Sequence, residues 1–182
     1  MLAGVSLIVA LAGAGVGAFS FISLNIYIND LNTYINETNA YVLPMARVYY
    51  GGSTYTIASG GGYQLFDYDQ KSYDTHGAFN LTSDSYTIPE PGFYHVIAQY
   101  SIDAIDGGIF IILLYKNTDI VSFRVSSSSV NTDSFGVALT DIINFDEGDS
   151  LTIKVYQYDP GMASRNIFDG EAWTFLAISK IA

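Results

Sequence analysis

The chain has no cysteine, which excludes disulfide stapling, thiolate metal centres and cysteine nucleophiles at once. Histidine occurs only as His76 and His95, and there is no HExxH pattern, so a zinc hydrolase site lacks its ligands. Positive charge is scarce: 7 Lys and Arg stand against 18 Asp and Glu, for a net charge of −11. Such a surface repels phosphate backbones and argues against nucleic-acid binding. Gly60-Gly61-Gly62 is followed by no Lys-Ser/Thr pair and no helical pattern, so it marks a turn and not a phosphate cradle. Charge of either sign is missing altogether from residues 1–28.

That uncharged run is apolar. A helix rises about 1.5 Å per residue and a bilayer core is about 30 Å thick, so the run is long enough to cross a membrane as a helix. Ala12-Gly13-Ala14 and Gly17-Ala18 offer small-residue cleavage sites, but no Lys or Arg precedes the run, so we expect it to be kept as an anchor. Gly13 and Gly17 form a small-xxx-small pair that lets neighbouring helices approach closely. Beyond it Leu24, Ile28, Leu31, Ile35, Thr38 and Val42 recur at steps of four and three, a heptad seam with Asn29, Asp30, Asn32, Asn36 and Glu37 between. The helix should end before Pro44, because the residue preceding proline avoids the helical region. The predicted organisation is a transmembrane or filament-core helix over 1–28, a short coiled-coil stalk over 29–44 and a head over 45–182. Gly13, Gly17, Leu24, Ile28, Leu31, Ile35 and Val42 are its oligomerisation positions.

In the head the period changes to two, and turn residues recur every eight to twelve positions, which predicts an all-β sandwich. Strands are expected over 45–50, 54–58, 63–68, 77–81, 85–88, 92–102, 108–116, 119–126, 132–144, 149–158 and 167–181. The clearest runs from Gly92 to Ile102, with Tyr94, Val96, Ala98, Tyr100 and Ile102 on one face and Phe93, His95, Ile97 and Gln99 on the other. One of the two faces must be core. The chain has 15 tyrosines, and those beyond what the interior needs are expected at a subunit contact.

Several blocks occur in a telling order: Gln64-Leu65-Phe66-Asp67, Tyr73 to Phe79, Tyr86-Thr87-Ile88-Pro89-Glu90-Pro91-Gly92-Phe93-Tyr94, Leu113-Leu114-Tyr115-Lys116-Asn117, Phe145-Asp146-Glu147-Gly148-Asp149-Ser150-Leu151 and Phe168-Asp169-Gly170. In this order they resemble the jelly-roll heads of complement component one-q and tumour necrosis factor. The departure is at the N-terminus, where no Gly-X-Y repeat stands in for a collagen stretch. A span plus stalk looks more like the tumour necrosis factor arrangement. The resemblance implies a ten-stranded, two-sheet jelly roll that forms a homotrimer about the stalk axis and binds partners with its distal or lateral loops.

Little chemistry is visible. Asp103 with Asp106 is a weak calcium candidate, since that cation takes oxygen ligands from loops, but carboxylates at such positions more simply cap turns. Asn36-Glu37-Thr38 and Asn80-Leu81-Thr82 are glycosylation acceptors by pattern if the head is external. The expectation is therefore a non-enzymatic, membrane-anchored surface protein or virion spike, head outward, that mediates adhesion or recognises a receptor or glycan. The rival expectation is a type IV pilin- or archaellin-like filament subunit, with the same helix packed in a fibre core. A glycan-processing enzyme acting through the Asp103 and Asp106 loop is a further alternative.

Overall fold

The computed structural model describes residues 28–30, 42–52, 55–104, 106–130 and 132–181. The chain divides into two compact units, Met1–Val42 and Leu43–Ala182. In the first, residues 28–30 are helical. Gly13, Gly17, Leu24, Leu31, Ile35 and Asn36 lie outside the described residues, as does the apolar run up to residue 27. Among the described residues no helix is long and apolar enough to cross a membrane.

The second unit is all β. Its strands are β1 (Met45–Tyr49), β2 (Tyr55–Ile57), β3 (Gln64–Leu65), β4 (Gln70–Asp74), β5 (Phe79–Asn80), β6 (Ser85–Thr87), β7 (Gly92–Ala104), β8 (Ile109–Lys116), β9 (Asp119–Ser127), β10 (Thr132–Phe145), β11 (Ser150–Tyr158), β12 (Arg165–Ile167) and β13 (Phe175–Lys180). One sheet runs β2-β12-β7-β13-β1-β4, with β10 along the other edge of β7; the second runs β5-β6-β11-β8-β9, with β3 on β11. All these strand pairs are antiparallel.

The core lies between the sheets, and the alternation explains it. Tyr94, Val96, Ala98, Tyr100 and Ile102 of β7 are all buried, as are Phe110, Ile112 and Leu114 of β8 and Leu151, Ile153 and Val155 of β11. Each large apolar side chain withdrawn from water in this way contributes roughly 1.5–3 kcal/mol before the entropy cost. Aromatic rings pack within and between the layers: Tyr94 meets Phe145 edge-on at 5.8 Å within the first sheet, and Phe110 of β8 lies 5.2 Å from Phe135 of β10 across the two sheets. Much of the tyrosine content is consumed here, because Tyr50, Tyr68, Tyr86, Tyr94 and Tyr100 are core residues.

Three expectations about the strands are corrected. The alternation predicted eleven strands and the resemblance implied ten; thirteen are present among the described residues, the additions to the eleven being β4 and the division between β12 and β13. β4 had no apolar signal: four of its five residues are exposed, so nothing in its composition announced a strand. The expected strand over 167–181 is two, because Gly170, at φ 102°, turns the chain between β12 and β13 and donates its N–H to the carbonyl of Tyr50.

Candidate recognition surfaces

Side chains at alternate positions leave each sheet with an outward face as well as a core face. On the first sheet the outward row of β7 is Phe93, His95, Ile97 and Gln99, paired across the ladder with Asn144, Ile142, Thr140 and Ala138 of β10. On the other side β13 sets Ser179, Ala177 and Phe175 beside His95, Ile97 and Gln99. Phe93 keeps 50% of its surface in water and Ile142 keeps 57%. His95 bonds Thr140 through Nε2 and Oγ1 at 2.9 Å. Toward β1 the face is fastened: the Arg47 guanidinium lies 3.9 Å from the Phe175 ring centroid, and its Nε donates to Glu171 at 3.0 Å. Ser72 donates to the same carboxylate oxygen at 2.6 Å. Trp173, half exposed, closes this end, with its carbonyl accepting from Gln99 at 3.2 Å.

The second sheet has an unusual outward face. Ile112 and Leu114 of β8 point to the core, so Ile111 and Leu113 point outward, and the ladder pairs them with Val125 and Phe123 of β9. β9 therefore carries its apolar row outside and Ser122, Arg124 and Ser126 toward the other sheet. Phe123 is 65% exposed. Tyr63, Ile111, Leu113, Val121, Phe123 and Val125 line an open groove of about 500 Å³. Next to it Lys154, paired in register with Leu113, holds its Nζ 4.3 Å from the Tyr115 ring centroid. The sequence shows the alternation of β9 but not which parity faces in, so this surface was missed.

The carboxylates of the loops are occupied by the protein itself. Asp103 accepts from the Asn166 backbone N–H at 2.6 Å and faces its side-chain amide at 3.4 Å. Asp106, across the turn after β7, is exposed. Asp149 accepts from the Asn117 amide and from the Asp146 N–H, both at 2.7 Å, and its hydrogen bond from Lys116 holds the carboxyl below the usual carboxylate range. Asp69 caps Gly51, accepting its N–H at 2.6 Å. No group of three or more His, Asp and Glu side chains that would hold a metal ion is found among the described residues. Of the glycosylation candidates, Asn80 is exposed at the end of β5, where its side-chain oxygen accepts from the Thr82 N–H at 2.8 Å. Val42, an expected oligomerisation position, is half exposed.

No protein-family model matches the sequence, and no curated protein does. The fold, in contrast, has solved counterparts. The Eiger tumour necrosis factor of S. frugiperda superposes with a TM-score of 0.59 at 13% identity, over 78% of this chain and 94% of that one. This head has the tumour necrosis factor and complement one-q jelly-roll fold. The globular domain of zebrafish complement 1qA matches this jelly roll with a TM-score of 0.55 at 16% identity, over 76% of this chain and 95% of that one. Murine APRIL matches it at 0.57 and 10% identity, over 77% of this chain and all of its own length. The resemblance seen in the ordered turn blocks is thus present in three dimensions.

Proposed function

We propose that the jelly-roll head assembles as a homotrimer through the outward face of the first sheet and acts as a recognition module, a binding protein and not an enzyme. The single observation that carries this reading is the exposure of Phe93 and Ile142 on one sheet face, flanked by half-buried Ile97 and Phe175. Large apolar side chains grouped on a sheet face are costly in water and are relieved by a second protein surface. The likeness to the Eiger, complement 1qA and APRIL heads supports a symmetric assembly, and a closed ring of three places the same face of every copy toward one axis. In our reading residues 1–28 anchor the chain in the membrane of a cell or an enveloped virion, and the stalk seam runs along the same axis. The outer surface and loops of the trimer then engage a receptor, a glycan or a neighbouring surface protein.

Native mass spectrometry of the full chain in detergent tests this. The expected mass is three chains, and Ile142→Glu together with Phe93→Glu should shift it to one chain with the strand signal in circular dichroism unchanged. A wild-type monomer sinks the proposal. So do long helical fibres in electron micrographs, which would replace it with the filament reading.

A further inference from the structure

We propose a second interaction surface on the outward face of the second sheet, over β8, β9 and β11, that takes a protein segment combining apolar and acidic side chains. The two sheets of a sandwich turn their outward faces in opposite directions, so a trimer formed through the first sheet leaves this face free. It is the part of the head where the usual pattern is reversed. β9 turns Val121, Phe123 and Val125 to solvent, and β8 adds Ile111 and Leu113 beside them, while Tyr63 closes the groove of about 500 Å³ from the loop before β3.

Charge decides what kind of partner fits. Of the seven Lys and Arg residues in the chain, five pair with carboxylates: Arg47 with Glu171, Lys71 with Asp74, Lys116 with Asp149, Arg165 with Asp159 and Lys180 with Glu90. Of the two that form no ion pair among the described residues, Lys154 stands on the face of the groove and Arg124, paired with Ile112, on the opposite face of β9. Lys154 pairs in register with Leu113 and rests on the Tyr115 ring. Arg124 follows Phe123 and is exposed beside Ala138 and Thr140 of β10. The outward strand positions here, Ile109 to Tyr115 on β8 and Thr152 to Tyr158 on β11, carry no carboxylate at all, in a chain of net charge −11. An apolar surface bordered by the Lys154 ammonium and without strand carboxylates favours apolar side chains that bring carboxylates with them, and disfavours basic partners. The lining holds few hydrogen-bonding groups, Ser122 and the Tyr63 hydroxyl, which argues against a glycan as its occupant.

Fluorescence anisotropy of labelled decapeptides titrated with the full chain in detergent reads the proposal directly, with empty micelles as the blank. An alternating Leu-Asp peptide is expected to bind at least ten-fold more tightly than alternating Leu-Lys or Ser-Asp peptides. Phe123→Ser, at an exposed position, should weaken the Leu-Asp peptide ten-fold or more. Lys154→Glu should reverse the preference toward Leu-Lys. No binding of the Leu-Asp peptide, equal binding of all three, or indifference to Phe123→Ser overturns the proposal. An assembly larger than a trimer that Phe123→Ser dissolves also overturns it, by assigning the face to further copies of this chain. Because the surface lies opposite the trimer face, a failure of the trimer reading leaves these outcomes distinct.

Discussion

The backbone N–H of Tyr68 donates a 2.9 Å hydrogen bond to Oδ1 of Asp84, an aspartate that itself sits at φ 49°. The bond joins the loop after β3 to the turn before β6 and sets a carboxyl beside the buried Tyr68 ring.

Burial pushes the Asp84 carboxyl up to about 6, against the Tyr68 N–H, which lowers it, and with help from the Asp67 charge. Between about pH 4 and pH 6 the folded state then holds more protons at this site than the unfolded chain, so this group's contribution to stability falls as pH rises through that window. Asp74 and Asp149 act in the opposite sense. Burial raises Asp74, but Lys71 and the N–H groups of Phe79 and Ala78 outweigh it, and both carboxyls end below the usual range and lose their contribution on acidification. A variant difference isolates Asp84. Asp84→Asn keeps the acceptor oxygen and tolerates positive φ. It should stabilise the protein by on the order of 1 kcal/mol at pH 7.5, a figure discounted for solvent screening at a half-exposed site, and by almost nothing at pH 4. Urea denaturation at the two pH values measures this, and no gain at pH 7.5 would refute it.

Two core tyrosines should respond to the same substitution with opposite sign. The Tyr94 hydroxyl donates to the Glu90 carbonyl at 2.7 Å, whereas the buried Tyr86 hydroxyl has no hydrogen-bond partner among the described residues. Tyr94→Phe should cost about 1 kcal/mol, the net worth of one such bond. Tyr86→Phe removes an unsatisfied polar group and should be neutral or stabilising by up to about 1 kcal/mol. Chemical denaturation of both variants side by side is the check; an equal loss in each means that Tyr86 is satisfied in solution.

Two glycines should likewise part company on substitution by alanine. Gly148 lies at φ 84° with nothing within 4 Å of an added Cβ, so Gly148→Ala meets only backbone strain, about 1–2 kcal/mol. Gly136, in β10, has its nearest neighbour, Ser101 Oγ, at 4.0 Å and no left-handed backbone. Gly136→Ala should leave stability unchanged or raise it by roughly 0.4–1 kcal/mol through the unfolded chain. Thermal melts of the two variants separate the cases, and a larger loss at Gly136 would contradict this account.

The sandwich class and the long strand were legible because alternation is a local property. Tyr94 to Ile102 could be seen in one row, and Pro89 to Gly92 and Gly148-Asp149 marked the turns that start and reverse strands. β4 was not legible, since Gln70, Lys71 and Ser72 are polar and exposed and the strand exists only because β1 offers it an edge. The Asp103 and Asp106 pair was a weak calcium candidate with turn capping the simpler reading, and proximity along the chain does not reveal that Asn166, brought in by β12, donates to the first of them.

By itself the sequence determined the change from a long apolar run and a heptad seam to a two-residue period, the sign of the surface charge and the two alternating rows of β7, though not which of them is core. Those are carried by residue type and spacing. Only the tertiary structure decided which side of β9 faces water. β8 is apolar on both faces from Ile109 to Leu114, so either parity of its neighbour satisfies the local pattern. The ladder, shifted between Leu114 and Tyr115, then sets Phe123 against Leu113 on the outside.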